Sequence, residues 1–206
     1  MRVDHIVTSG TFSLDGGTWD VDNNVWIVGD DREVIVIDPA HDADEILAAV
    51  ADREIKAILC THAHDDHISA AEALATATDA RVHLHPADEP LWRMVYPEAD
   101  YDPLHDGQTF EVAGGELLVV HTPGHAPGAV CFHAPELGVL FSGDTLFQGG
   151  PGATGRSYSD FDTIVDSITD RLLSLPPETI VHTGHGDSTS IGAESPHRQE
   201  WIDRGH

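Results

Sequence analysis

The sequence predicts a single-domain α/β protein in which sheets are sandwiched together and helices cover them. Short β-branched runs recur along the chain, several of them paired around a turn, and stretches of helical spacing lie between them. The length of 206 residues suits one domain with a sizeable core, and the sequence contains no repeat, linker or low-complexity segment. Hairpins interspersed with helices are typical of a sheet-rich α/β sandwich with helices outside.

The first half of the chain alternates strands and helices. Its predicted strands are 24–29, 33–38, 55–60 and 80–85, the first two joined by a turn at GDDR. Its predicted helices are 42–53, 66–79 and 86–97.

The second half begins with two predicted hairpins and ends in helices. The hairpins cover 109–124, turning at Gly114-Gly115, and 128–144, turning near Pro135. The segments that follow are a Gly-rich loop at 148–157, a helix at 159–175, a strand and turn at 178–186, and a closing helix at 194–204.

The charge balance narrows the possible partners. The chain has 36 Asp and Glu residues against 10 Lys and Arg, a formal net charge of −26. Such a surface repels phosphate backbones and anionic lipids, so we expect neither nucleic acid nor a membrane as a partner. No apolar run approaches the length of about 18 residues that marks a membrane span.

The compartment is predicted from the N-terminus and the cysteines. The first residues show no basic segment leading into an apolar one, as a signal peptide would. Cys60 and Cys131 lie at the end of or within apolar runs and are expected to be buried free thiols. A cytoplasmic location is therefore expected.

Titratable side chains follow four of the predicted strands. The densest group is in CTHAHDDH at 60–67, and glycines accompany three of the other positions. Strand ends in a sandwich converge along one edge, so these groups are expected to meet. The seven residues are His62, His64, Asp66, His67, His125, Asp144 and His185.

Together these side chains are suited to binding metal ions. Neutral imidazoles and carboxylates are ligands for Zn²⁺, Fe²⁺ or Mn²⁺. In an extended loop His62 and His64 lie on the same side and can chelate one ion. Asp66 and His67, at the start of the next helix, face elsewhere and can hold a second.

The remaining three residues complete the two half-sites. His125 is expected to join the first and His185 the second, with Asp144 as a bridging carboxylate. A water shared by two such ions has its pKa lowered from about 15.7 to near 7, which provides a hydroxide nucleophile at neutral pH.

This ordered set resembles that of the metallo-β-lactamase superfamily and is most similar to its glyoxalase II-like branch of thioester hydrolases. The likeness extends over roughly residues 24 to 195. The matching segments are HTPGHAPGAV at 121–130, FSGDTLF at 141–147 and LPPETIVHTGHGDSTSIGAE at 175–194. The resemblance implies a four-layer αββα sandwich with a dinuclear site at one edge, with zinc as the expected metal and iron or manganese as alternatives.

The resemblance also implies a role for each residue. One metal would be held by His62, His64 and His125, and the other by Asp66, His67 and His185. Asp144 would lie between the two metals, and Asp66 and Asp144 are the expected catalytic groups. Asp38, which follows VIVI, would orient the histidine loop by hydrogen bonding.

The chain departs from glyoxalase II at its C-terminal end. Glyoxalase II carries a helical segment there whose basic and tyrosine residues grip glutathione, whereas only about 20 residues follow His185 here. One domain over 1–206 without that extension is therefore expected, and the thiol carrier, glutathione, mycothiol or another, is left open. Arg156 and Tyr158 are candidates for contacting an anionic part of the substrate. Alternatively, Arg156 pairs with a surface carboxylate.

The function expected from these features is a dinuclear metal-dependent hydrolase of a small-thiol thioester that uses a metal-bridging hydroxide. The first alternative is a persulfide dioxygenase-like enzyme with one Fe²⁺ held by His62, His125 and Asp144. A lactonase is a further alternative, and a closed structural metal site is the non-enzymatic one. The sequence does not predict an oligomeric state.

The other histidines and the tryptophans are expected to be structural. His83, His85, His121, His133 and His182 are predicted to be packed or hydrogen-bonded, and His5, His105, His197 and His206 exposed. Trp19, Trp26 and Trp92 are predicted to serve packing.

Overall fold

A computed structural model describes residues 1–205, and His206, predicted to be exposed, lies outside the described residues. Two six-stranded sheets pack face to face, and helices cover both outer faces. The predicted αββα sandwich in one domain is confirmed. No helix among the described residues is long and apolar enough to cross a membrane.

The first sheet has the order β1-β2-β3-β4-β5-β6. Its strands β1 to β3 pair antiparallel, and β3 to β6 pair parallel. The strands are β1 Arg2–Leu14, β2 Gly17–Gly29, β3 Glu33–Ile37, β4 Glu54–Leu59, β5 Val82–Leu84 and β6 Asp102–Pro103.

The second sheet contains both predicted hairpins and has the order β14-β13-β10-β9-β8-β7. Its strands are β7 Thr109–Val112, β8 Gly115–His121, β9 Val130–Ala134, β10 Val139–Gly143, β13 Ile180–Thr183 and β14 Thr189–Ser190. A small ribbon of β11 Leu146–Phe147 and β12 Gly150–Pro151 lies between β10 and the next helix.

The helices are short. They are α1 Ala43–Val50, α2 Asp65–Ile68, α3 Ala71–Thr78, α4 Glu89–Val95, α5 Phe161–Ser167, α6 Ile191–Glu194 and α7 Arg198–Arg204. A π-helical turn, Ile168–Leu172, extends α5, and single 3₁₀ turns, Pro86–Asp88 and Ser195–His197, precede α4 and α7.

Side-chain alternation along the strands builds three separate cores. In β3, Val34 and Val36 pack under the helices of the first sheet, whereas Ile35 and Ile37 pack between the two sheets. Along β10, Phe141 likewise faces the space between the sheets and Leu140 faces α5 and α7. Because successive strand residues point to opposite faces, fully apolar strands can fill a core on each side.

The largest difference from the sequence prediction is the N-terminal hairpin of β1 and β2. The predicted strand 24–29 is only the last part of β2, and β1 was not predicted. Most residues of these strands before residue 23 are at least partly exposed, so they lack the apolar runs that mark a buried strand. The Asp15-Gly16 turn, with φ of 54° and 79°, has the positive angles of a two-residue hairpin loop.

Two predicted helices are interrupted. The predicted helix 66–79 is divided into α2 and α3 at Ser69 and Ala70, where the Ala70 amide bonds to the Pro39 carbonyl. The predicted helix 159–175 becomes α5 and its π-helical turn. Both free cysteines, Cys60 and Cys131, are buried as predicted.

Candidate metal centre

The structure brings all seven predicted residues to one edge of the sandwich. The loop after β4 supplies His62 and His64, and α2 supplies Asp66 and His67. The other three follow β8, β10 and β13, as the sequence predicted, and are His125, Asp144 and His185.

His62, His64 and His125 form the first group. The Nδ1 atom of His64 lies 3.0 Å from Nε2 of His62 and 3.0 Å from Nε2 of His125. All three side chains are buried. Their facing nitrogens lie within 4.8 Å of one another. Three imidazoles with converging nitrogens are a suitable set of ligands for one ion.

Asp66, His67 and His185 form the second group. The Nε2 atoms of His67 and His185 are 3.2 Å apart, and Nε2 of His185 is 3.3 Å from an Asp66 oxygen. Asp144 lies between the groups: one of its oxygens is 3.4 Å from His67, and the other is 3.4 Å from His185 and 3.6 Å from His125. The Asp144 carboxylate therefore faces both groups, as predicted.

Hydrogen bonds fix four of the five rings. In each, Nδ1 faces an oxygen: Thr61 Oγ1 at 3.0 Å for His62 and Asp38 Oδ2 at 3.0 Å for His67. For the other two rings the partners are backbone carbonyls, Ala153 O at 2.8 Å for His125 and Asp22 O at 2.7 Å for His185. An imidazole that donates Nδ1–H in this way leaves the Nε2 lone pair directed at the centre.

Asp38 hydrogen-bonds to the histidine loop, and the orienting role that the family resemblance implies for it stays a prediction. One of its oxygens accepts the Thr61 amide at 2.7 Å, and the other accepts Thr61 Oγ1 at 2.7 Å and faces His67. Asp38 has a φ of 53°, a left-handed conformation that a non-glycine residue adopts at some cost. The residue is almost fully buried, so these bonds compensate for burying its charge.

The first group is poised to act as neutral ligands. Burial lowers the pKa of His62 well below its usual value and lowers the pKa of His64 to about 3. The pKa of His125 is also lowered, chiefly by burial. These three rings are therefore uncharged at neutral pH.

The second group is electrically different. Burial opposes charge on His67 and His185, but Asp144 and Asp66 outweigh it, raising the pKa of His67 well above its usual value and that of His185 to about 10. Burial would raise the pKa of Asp66, but His67 and His185 lower it to about 2. In the absence of metal ions, the positive charge of protonated His67 and His185 therefore compensates for the negative charge of Asp66 and Asp144. Bound metal ions would displace these protons and supply the positive charge instead.

The residues present fit a pair of metal ions. Two nitrogens bound to one tetrahedral zinc ion lie about 3.4 Å apart, close to the separations within the first group. Asp144 Oδ1 is buried and accepts no hydrogen bond of good geometry, although His67 Nε2 is 3.4 Å away. A buried carboxylate oxygen without a donor is costly unless a cation compensates for it. The role of the seven residues as ligands stays a prediction.

Two glycines let the backbone approach the centre closely. A Cβ at Gly184 would lie 2.2 Å from an Asp144 oxygen and 2.6 Å from the His67 ring. At Gly143 a Cβ would lie 2.3 Å from Thr61 Oγ1, and its φ of 48° is also unfavourable for other residues. Gly184 therefore makes room for the cluster itself, and Gly143 makes room for Thr61 beside it.

The predicted substrate residues lie outside this cluster. No carboxylate lies within 4.0 Å of the Arg156 guanidinium among the residues the structure describes, although the pKa of the exposed Asp15 carboxyl is lowered by hydrogen bonds from Ser157 and by the charge of Arg156. The Arg156 guanidinium stacks on the Trp19 ring, which also packs against Phe12, so the contacts of this tryptophan agree with the predicted packing role. Tyr158 is 43% exposed and has a φ of 71°.

Sequence reasoning missed three supporting residues. Asn23 donates to Asp66 at 3.0 Å and faces the His41 ring at 2.8 Å. The Asp88 carboxylate is fully buried and accepts the amides of Ala63 at 2.9 Å and Gly128 at 2.5 Å. The third is Thr61. Asn23 and Asp88 lie far along the chain from the segment 60–67, so only the fold could associate them with the site, whereas Thr61 lies within that segment and its role could not be read from its residue type.

The family model of the metallo-beta-lactamase superfamily matches residues 18–185. The chain belongs to the metallo-beta-lactamase superfamily. Members of this superfamily are metal-dependent hydrolases that bind divalent metals. The residues of the cluster from His62 to His185 lie within the matched range.

Three named proteins are similar to this chain over most of their length. Hydroxyacylglutathione hydrolase GloC of Haemophilus influenzae is 31% identical over 181 residues, covering 80% of this chain and 85% of that protein. Among solved structures, TTHA1623 in a di-iron-bound form has a TM-score of 0.77 at 37% identity, covering 85% of this chain and 93% of that one. ETHE1 from Myxococcus xanthus has a TM-score of 0.74 at 27% identity, covering 96% and 88%.

Proposed function

We propose that this protein is a dinuclear metal-dependent hydrolase of a small-molecule thioester. The observation that carries the proposal is the anchoring of four imidazoles through Nδ1, which directs four Nε2 atoms at a centre that Asp66 and Asp144 share. The similarity to a hydroxyacylglutathione hydrolase supports the thioester as substrate class.

Two divalent ions, with zinc expected and iron or manganese as alternatives, would supply Lewis acidity and lower the pKa of a water molecule to near 7. The chain's residues hold the geometry. Asp144 faces both groups at 3.4–3.6 Å. Asp66, held by Asn23, provides the second carboxylate. We assign these two aspartates to the centre where the thioester carbonyl is attacked.

A thioester panel with metal analysis tests the proposal. Purified protein with two bound metals is expected to release thiol from acyl thioesters of several small thiols, and this activity should disappear after treatment with a chelator and return with Zn²⁺, Fe²⁺ or Mn²⁺. Folded protein with two metals that cleaves no thioester in the panel would refute it.

The same assay separates two alternatives. A persulfide dioxygenase would bind one iron per chain and consume O₂ with a thiol persulfide, and the di-iron form of TTHA1623 is a reason to include iron in the test. A lactonase is an alternative because the same metal-bound nucleophile would attack a lactone carbonyl. Such an enzyme would hydrolyse lactones in preference to thioesters.

A further inference from the structure

Three consecutive residues of β2 lie against the second group of predicted metal ligands. They are Asp22, Asn23 and Asn24, here called the β2 tripeptide. β2 pairs with β3 only from Trp26 onward, so on that side the tripeptide extends beyond β3. There the Asn24 amide donates to the Gly184 carbonyl at 2.8 Å, directly before His185 in the chain. The β2 tripeptide therefore joins the first sheet to the end of the second sheet at the metal edge.

Asn23 binds the Asp66 carboxylate. Its side chain is fully buried, and its Nδ2 atom donates to Asp66 Oδ2 at 3.0 Å. A carboxylate that serves as a metal ligand is ionised and can only accept hydrogen bonds. Asn23 must therefore turn its NH₂ group to Asp66 and its amide oxygen away. This bond fixes the direction of the one carboxylate in the second group.

Asn24 and Asp22 hold the turn that carries His185. The Nδ2 atom of Asn24 donates to the carbonyls of Thr183 at 3.0 Å and Gly186 at 2.9 Å. These two carbonyls lie on either side of His185 in the chain. The Asp22 carbonyl lies 2.7 Å from Nδ1 of the His185 ring. Both the position of the turn and the direction of the ring therefore depend on the β2 tripeptide.

A histidine lies against each asparagine. Nε2 of His41 is 2.8 Å from the amide oxygen of Asn23. Nε2 of His5 is likewise 2.8 Å from the amide oxygen of Asn24. Because an amide oxygen can only accept a hydrogen bond, each ring donates its Nε2–H. Each asparagine therefore has one orientation that satisfies the partners at both ends of its amide.

The two histidine rings are themselves held in place. The His41 ring packs on Gly10 of β1, where a Cβ would lie 2.2 Å from the ring. His41 also has a φ of 59°, a left-handed conformation that a non-glycine residue adopts at some cost. The His5 ring stacks on Trp26 with ring centroids 4.2 Å apart. The hairpin of β1 and β2 thus supplies the support for both asparagines.

The contacts of the β2 tripeptide are confined to the second group and the turn that carries it. In the part of the chain that the structure describes, no hydrogen bond joins the tripeptide to a ring of the first group. The Nδ1 partners in that group come from other segments, Thr61 for His62 and Ala153 for His125. The chain contains only two asparagines, and both lie in the tripeptide, where an uncharged side chain that both donates and accepts is required.

We propose that the β2 tripeptide sets the metal affinity of the second group independently of the first, and so decides whether the centre holds one ion or two. Its two asparagines are positioning residues that act through Asp66 and His185, and the two histidines act through the asparagines. This inference rests on the two-metal centre of the proposed function.

Asn23→Leu tests this role, because leucine has nearly the size of asparagine but makes no side-chain hydrogen bond. The affinity of the second group for Zn²⁺ should fall about 10- to 100-fold, and that of the first group should not change. NMR spectra of ¹⁵N-labelled histidine rings, recorded as Zn²⁺ is added against a competing chelator, report the two groups separately. A general loosening of the fold would weaken binding in both groups, whereas a positioning role weakens it in one.

His41→Phe tests the support behind Asn23. A phenyl ring can occupy the same place but donates no hydrogen bond, so the affinity of the second group should fall again, by less than in Asn23→Leu. Two matched controls change the same chemical groups elsewhere. Gln108→Leu removes a side-chain amide between β6 and β7, and His133→Phe removes an imidazole on β9. Both controls should bind two ions with the affinity of the wild type.

The outcomes separate failure of this inference from failure of the hydrolase. Unchanged affinity of the second group in both Asn23→Leu and His41→Phe, or equal weakening of both groups, would overturn the role of the β2 tripeptide and leave the hydrolase standing. Selective weakening of the second group, in a protein that cleaves no thioester, would refute the hydrolase and leave the inference standing. If Asn23→Leu does not fold, His41→Phe decides by the same criterion. A wild type that binds only one ion at saturating Zn²⁺ would overturn both.

Discussion

The Oδ2 atom of Asp38, at the end of β3, lies 3.0 Å from Nδ1 of His67 in α2. This contact joins the end of strand β3 to helix α2 and fixes which nitrogen of His67 faces the centre. Because the same carboxylate binds Thr61, which in turn contacts His62, one residue orients a ring from each predicted metal group.

Asp38→Asn should weaken metal binding without unfolding the protein. An asparagine keeps one acceptor oxygen but presents an amide to one of its present donors, so at least one ring loses its anchor. We expect affinity for the metals to fall by about 10- to 100-fold, as measured by competition with a chelator. Asp42→Asn, which retains a capping side chain at α1, is the matched control. Unchanged affinity in Asp38→Asn would contradict the orienting role.

Removing a predicted ligand should abolish activity. His62→Ala and Asp144→Ala are each expected to lose bound metal and to lower turnover at least about a thousandfold. His133→Ala, on β9 and away from the cluster, should leave turnover largely intact. Normal hydrolysis by His62→Ala would show that the ligand assignment is wrong.

Gly184→Ala tests the close approach of the backbone to the cluster. The added methyl group would occupy the space of the Asp144 carboxylate and the His67 ring, so it should displace both and reduce bound metal and turnover. Gly115→Ala is the control, since its methyl would meet mainly the end of the Met1 side chain. Metal content and circular dichroism of both variants measure this, and a fully metallated Gly184→Ala protein would contradict it.

The buried carboxyl group of Asp88 is expected to make the free energy of unfolding depend on pH. Burial raises its pKa to about 6, despite the hydrogen bonds from Gly128 and Ala63. The pKa of an aspartate in an unfolded chain is near 4, so the folded protein holds the Asp88 proton more tightly than the unfolded chain does. The resulting contribution of Asp88 to stability is present at low pH and is lost as the pH rises through 6. Over this window the loss amounts to about 3 kcal/mol.

Urea unfolding of metal-free protein at several pH values measures this contribution. Asp88→Asn should lack it, so the difference in unfolding free energy between wild type and variant should change between pH 4 and 7. Parallel pH profiles would show that the carboxyl titrates normally.

The fold and the seven cluster residues could be predicted because their signals are local. Apolar runs mark strands such as Glu54–Leu59, and each run is followed by a side chain that is costly to bury alone. The family resemblance agrees with the grouping of these residues into two half-sites, which their spacing along the chain already favoured. The predicted hairpins at 109–124 and 128–144 also lie where their turn residues placed them.

The parts that could not be predicted depend on contacts between distant segments. Asp88 supports the centre through the backbone amides of Ala63 and Gly128, which leave no trace in residue type. The stacking of Arg156 on Trp19 joins residues far apart in sequence, and the partly exposed strands β1 and β2 lack the periodicity that reveals a core strand. The Asp15-Gly16 turn was a readable hairpin signal that the strand prediction did not use.

The content of tightly bound metal in the native protein tests the two-metal centre most directly. Mass spectrometry of the intact folded chain, together with elemental analysis, should give two divalent ions per chain, falling to one or none in Asp144→Ala. One ion per chain that does not increase on titration with Zn²⁺, Fe²⁺ or Mn²⁺, or no bound ion at all, would contradict a dinuclear site.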